Sequence, residues 1–308
     1  MKNSFTLILF TITAFIFSKE SLGQEKKFHS GGEYIGQEVP KLQPEVFAPG
    51  IVSKVSEYEF GSVFSKDGNE FYYGVDDRGK SEIRFMTRID NKWSKPQKIR
   101  FNSAYSYNDP FLSHDGNRLY FISDRPLNGS GEKKDYDIWY AERKGEGWSE
   151  PINAGSTINS SKDDYYISFS NEGTLYFASN VHTSDSTKWN FDIYYSELKD
   201  GVYQKPVRMG ENINSPGYES DAFVSPDESY IIFCSRRKEG YGLGDLYISF
   251  KEDGKWTKAV NMGAEINTSS YELCPFVTRD GKYFFYGSSK DIHWVDAQII
   301  ESYRNKRP

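Results

Sequence analysis

The chain of 308 residues carries 38 Lys and Arg against 44 Asp and Glu, a net charge of −6, and so offers no basic footprint for nucleic acid or an anionic membrane surface. Tyr (23), Phe (22) and Gly (26) are abundant, and long runs of Ala, Leu, Glu and Lys at helical spacing are missing. This excludes a mainly helical fold and points to an all-β one.

In chain order, Lys2 precedes the apolar run Phe5 to Phe17, and Ser21-Leu22-Gly23 supplies small residues at −3 and −1 of a cleavage site. Residues 1–23 therefore read as a secretory signal, cleaved near Gly23, and the mature protein is expected to be secreted or periplasmic. The apolar run is too short to cross a bilayer core of about 30 Å as a helix, so no membrane insertion is expected. Residues 24–43 form an N-terminal extension and 44–308 a single domain. In an oxidising compartment Cys234 and Cys274 fit either one disulfide or two buried thiols.

From Ser62 onward one phrase occurs five times: SVFSKDGNEFYYG, PFLSHDGNRLYFI from Pro110, ISFSNEGTLYFAS from Ile167, AFVSPDESYIIFC from Ala222 and PFVTRDGKYFFYG from Pro275. Their turn residues Gly68, Gly116, Gly173, Glu228 and Gly281 lie 48 to 57 residues apart. Each copy predicts an antiparallel hairpin, Asp-Gly supplying the positive φ of its turn. A third strand follows in each: Glu82-Ile83, Asp137-Ile138-Trp139-Tyr140, Asp192-Ile193-Tyr194-Tyr195, Asp245-Leu246-Tyr247 and Asp291-Ile292-His293-Trp294. Four copies add a fourth, from Trp93, Trp148, Tyr203 and Trp256, where a recurrent Pro and Lys blunt the sheet edge. The fifth copy lacks one. Pro44 to Ser53 aligns with Pro206 to Ser215, so the first ordered strand is expected to complete the last blade. The predicted fold is a five-bladed β-propeller of four-stranded antiparallel blades, the ring closed by an N-terminal strand.

The phrases S-x-D-G-x-x-L-Y-F, D-I-W-Y, W-S-x-P and I-N-S resemble the WD40-like repeats of the PD40 family, found in TolB-type propellers and in exported proteins of polysaccharide-degrading Bacteroidetes. The resemblance runs from about Pro44 to Trp294. In size, signal and repeat type the chain is also similar to secreted propellers of marine bacteria that degrade ulvan, among them an oligosaccharide dehydratase. What this implies is activity on polysaccharide; the scaffold itself hosts binding, signalling and catalysis alike.

Residues just before each S-x-D-G phrase are expected to face a central funnel. One column there reads Glu59, Tyr107, Asp164, Glu219 and Glu272, and the next but one reads Gly61, Asp109, Tyr166, Asp221 and Cys274. The acids, Glu219 and Glu272 included, are ligand candidates with Tyr107. Repetition favours a duller role, tying neighbouring blades together, since a catalytic group is unique in a ring. Loops after the second strands bring Arg125, Arg236, Arg237 and Lys290 to one level, which suits a carboxylate or sulfate. Of four histidines, His182 lies in the long blade-specific loop VHTSDSTKWNF with Trp189, an aromatic beside a titratable group. No serine-hydrolase, zinc, nucleotide or calcium motif is present, and no metal or other cofactor is expected.

Two functions follow. One is β-elimination on a uronate-containing, ulvan-type oligosaccharide, giving an unsaturated uronate end: a cation neutralises the C5 carboxylate, with His182 and Tyr166 as base and acid candidates. The other is a non-catalytic TolB-like glycan- or protein-binding propeller. An anionic oligosaccharide is the expected partner, and a monomer the expected state.

Overall fold

The computed structural model describes residues 31–183 and 190–304; the expected signal segment, His29 and Trp189 lie outside the described residues. The five repeated phrases form five antiparallel sheets in a ring. Blade 1 runs outward from Tyr58–Phe64 through Glu70–Asp76 to Ser81–Ile89. The inner strands of the other blades are Tyr107–Leu112, Asp164–Phe169, Glu219–Val224 and Leu273–Val277. Each hairpin turn is fixed by its own side chains. In blade 1 Ser65 Oγ accepts from the Glu70 N–H and donates to Asp67, and Gly68 holds φ 67°. Where blade 4 has Glu228 instead of Gly, that residue still adopts φ 58°.

The fourth strands differ from expectation. Trp93, Trp148 and Trp256 end short hairpin extensions of the third strand, and the ladder resumes only after the Pro or Ala, at Gln97–Lys98, Ile152–Asn153 and Val260–Asn261. In blade 3 Val207–Arg208 takes that place, against Tyr194 and Tyr195. The phrase W-S-x-P is thus a break between two strand pieces, because Pro has no N–H to give the ladder.

I-N-S has its own task. Asn159, Asn214 and Asn267 each accept from the N–H and donate to the C=O of one third-strand residue, Ile138, Ile193 and Leu246. In blade 5 the N-terminal segment does both jobs. Glu45 and Val46 pair with Trp294 and His293, and Ser53 Oγ accepts from the Ile292 N–H at 3.2 Å. Phe47, fully buried, packs on Phe64 and Phe71 of blade 1 and on Phe285 and Trp294 of blade 5. The expected ring closure is therefore present.

The axis is closed by rings: Phe276 lies 6.1 Å from Phe111 and 5.8 Å from Phe223. Both cysteines are free and buried. A short helix, Ile299–Arg304, buries Ile299, Ile300 and Tyr303. No helix among the described residues is long and apolar enough to cross a membrane.

Candidate functional site

Every inner strand carries a bulge at the same place. Its register shifts between Phe60 and Ser62, Asn108 and Phe111, Tyr165 and Ile167, Ser220 and Phe223, and Leu273 and Phe276. The residue concerned is Gly61, Asp109, Tyr166, Asp221 or Cys274, each at φ between 47° and 53°. A bulge re-aims one side chain out of the pleat, here toward the axis. Groups from separate blades meet there: Cys274 Sγ lies 3.5 Å from Asp109 Oδ1, and Tyr166 donates its hydroxyl hydrogen to Pro275 O at 2.7 Å. Gly61 leaves room for Asp109, whose Cα and Oδ1 would lie 3.2 and 3.0 Å from an added Cβ.

Above this floor opens a funnel of about 300 Å³ to which all five blades contribute. Its wall is aromatic, with Tyr58, Phe60, Tyr165, Phe191, Tyr218 and Tyr271; Asp109, Asp221 and Cys274 lie at its base and Asp76 also lines it. Burial, together with the charge of Asp221, raises the pKa of Asp109 above the carboxylate range. Burial raises Asp221 too, less far because the Cys274 N–H and Ser220 hydroxyl favour its anion. Two carboxyls in one dry site cannot both ionise readily, so the pair retains a proton as the pH approaches neutral. Burial also holds the phenols of Tyr58, Tyr218 and Tyr271 and the Cys274 thiol in their neutral forms. Outside the wall, the Arg236 guanidinium covers Tyr218 at 4.7 Å and Tyr271 at 5.1 Å.

The recurrent acids bond groups of the blade connections. Glu219 and Glu272 are completely buried: Glu219 accepts from Ser215 N, Ser215 Oγ and Ser235 Oγ, and Glu272 from Thr268 N, Thr268 Oγ1 and Ser288 Oγ. Asp164 and Glu59 bind the N–H groups of Ser160 and Lys54 in the same way. Each acid pins the connection arriving from the preceding blade. Blade 2 has Tyr107 in the slot, packed on Phe101 and Phe121, and there Asp124 binds the Ser106 N–H.

Of the cations expected at one level, Arg236 alone reaches the funnel wall. Arg125 stacks on Trp139 at 5.5 Å and lies 3.7 Å from Glu150. Arg237 lies over Tyr247 and donates to Ile213 O at 2.8 Å, while Lys290 offers its carbonyl to the Glu59 N–H. His182 Nε2 sits 3.0 Å from Asp192 Oδ2, whose carboxylate Arg208 also grips. His182 and Tyr166 therefore serve different neighbours, and neither lines the funnel. Among the described residues no group of three His, Cys, Asp or Glu has the arrangement of a metal site.

Sequence reasoning passed over the phenol wall and gave no role to the Asp109–Asp221 pair. The usable signal was the column in which the copies disagree most, Gly, Asp, Tyr, Asp and Cys, and the Tyr that precedes the acid in three blades.

No family model and no curated protein matches the chain. Among solved structures it is similar to TolB from Acinetobacter baumannii, at 12% identity over 77% of this chain and 54% of that one, with a TM-score of 0.47. It thus spans about half of the TolB chain. A protein of unknown function from Dyadobacter fermentans is 15% identical over 84% of this chain and 83% of its own, with a TM-score of 0.48. A gluconolactonase from Xanthomonas campestris is 12% identical over 84% and 96%, with a TM-score of 0.45.

Proposed function

We propose that the funnel takes the uronate end of an anionic, ulvan-type oligosaccharide outside the cytoplasm and performs β-elimination there. The observation that carries this reading is a carboxyl pair retaining one proton beneath half-buried phenols, with Arg236 against the wall. Aromatic faces suit the C–H faces of a sugar ring. Asp109, the carboxyl that keeps its proton, donates a hydrogen bond to the C5 carboxylate and so acidifies the adjacent C–H. Asp221, ionised, takes the C5 proton. The electron pair forms C4=C5, the C4–O bond breaks, and the Tyr271 phenol protonates the departing oxygen. If that oxygen is a hydroxyl, water leaves and the protein is a dehydratase; if it bears a sugar, it is a lyase.

The test is incubation of the mature protein with uronate-ended oligosaccharides, reading the ultraviolet absorbance of the conjugated product. Asp221→Asn is expected to lose about 10²- to 10⁴-fold in rate, the range of a general base, and His182→Ala to keep its activity. Absence of unsaturated product over a substrate panel, with binding retained, would leave the second reading, a glycan-binding propeller, which the aromatic wall suits without any chemistry.

A further inference from the structure

The opposite end of the ring has a different electrostatic character. There lie the S-x-D-G turns, and the second residues of three of them, Lys66, His114 and Arg279, come near one another. The turn acids are held within their own turns. Asp67 is taken up by Ser65 and Asn69, Asp115 by Ser113 and Asn117, and Asp280 by Thr278 and Lys282. Arg279, from blade 5, reaches across to blade 2, where Nη2 donates to Leu112 O and Nη1 meets His114 Nδ1, both at 3.3 Å. No carboxylate lies within ion-pair distance of this half-buried guanidinium among the described residues, although burying an unpaired cation is costly. Beside it a recess of about 100 Å³ is lined by Arg279, Lys66, Arg88 and Lys282, with Glu33, Asp67 and Asp280 as its acids. Four cations face three carboxylates there, and with Lys282 paired to Asp280 the recess keeps a net charge of about +1.

The geometry points to a small oxyanion site, for sulfate, phosphate or a carboxylate, between Arg279 and Lys66 beside the hairpin turns of blades 5 and 1, separate from the funnel. A planar guanidinium that has no carboxylate partner, and whose contacts to Leu112 O and His114 leave further N–H groups to donate, suits such a ligand. His114 reports on it. Burial and then the charges of Arg279 and Lys66 lower its pKa, against a smaller opposing pull from Asp115. An anion that neutralises Arg279 and Lys66 offsets the part of that lowering due to their charges, leaving the part due to burial.

The experiment is an NMR pH titration of the His114 ring, with sodium sulfate compared with sodium chloride at equal ionic strength. A saturable upward shift of the His114 pKa with sulfate, absent with chloride, is expected. Arg279→Gln should abolish the saturable part. Lys66→Gln, at an exposed turn position that leaves the core intact, should weaken apparent affinity about two- to five-fold, the scale of one exposed ion pair. The funnel variant Asp221→Asn should leave the titration unchanged, so the outcome is independent of any activity in the funnel. The half-buried ring of His293, against Tyr286, serves as the internal check of folding. Identical responses to sulfate and chloride, or an undiminished sulfate response in both variants, would overturn the site.

Discussion

At the scale of single residues, the positions that matter are those where the backbone is forced. Gly61 combines φ 53° with backbone of Asp109 only 3.2 Å from where a Cβ would stand. Gly61→Ala should cost about 1–3 kcal/mol by urea denaturation, since it adds both a left-handed Cβ and a clash. Asp109, Tyr166, Asp221 and Cys274 accept the same φ with side chains, which is why their identities read as choices of chemistry and Gly61 as a requirement of space. Glu59 gives a pH test of the scaffold acids. Burial raises its pKa from 4.5 to about 8, and Oε2 has no hydrogen-bond partner. With the folded value above the unfolded one, its contribution to stability is complete below pH 4.5 and is lost as pH rises through 8. Glu59→Gln should therefore gain thermal stability relative to the parent over that interval and hold the gain above it, on the order of 5 kcal/mol. A constant difference across the range would refute the burial argument. The recurrence of the acids in one column was legible from the repeat, whereas the partners of Arg125 and Arg237 were not: position in the repeat said nothing about Trp139, Tyr247 and the Ile213 carbonyl that engage them.

At the scale of elements, the blade was legible because it is written five times. Asp-Gly turns, aromatic second strands and the acid opening each third strand recur in register, and the structure follows them. The ring closure was legible for the same reason, the N-terminal segment being a displaced copy of the piece that blade 5 lacks. What the pattern concealed was the break in the outermost strand, since a Trp-Ser-x-Pro string looks continuous until the missing Pro N–H is counted against the ladder. Closure rests on little backbone pairing, two residue pairs with Trp294 and His293, so side-chain burial must carry it. Phe47 is the main contributor, inserted among four rings of blades 1 and 5. Phe47→Ala should cost about 3–5 kcal/mol, the range for emptying a buried aromatic site, and should loosen the first and last blades together. Hydrogen exchange is the measurement: faster exchange in Asp291–Asp296 and Tyr58–Phe64 alike supports the inserted-ring account, whereas exchange confined to the N-terminal segment would contradict it.

At the scale of the molecule, the funnel was the hardest feature to read, because its lining is drawn from all five blades. Tyr58, Asp109, Tyr165, Asp221 and Tyr271 come one from each blade and become neighbours only when the ring closes. A periodic sequence shows the ring and hides which deviations face one another across it. That arrangement also makes a prediction. A ligand seated in the funnel touches every blade, so its binding energy opposes global unfolding and cannot be spent on one blade alone. At a ligand concentration a hundredfold above Kd the stabilisation is about 2.7 kcal/mol, which for a domain of this size is a rise in Tm of roughly 5–10 °C. A uronate-ended disaccharide should produce such a rise and its neutral counterpart a smaller one. Arg236→Ala should narrow the gap between the two sugars, because the cation held over Tyr218 and Tyr271 favours the charged ligand electrostatically even from behind the rings. Asp109→Asn should keep most of the rise while removing the alkaline limb of any activity, since the amide donates its hydrogen bond at every pH but the carboxyl only while protonated. Equal stabilisation by both sugars in the parent protein would mean that the funnel reads the sugar face and ignores its charge, and the elimination chemistry would lose its substrate.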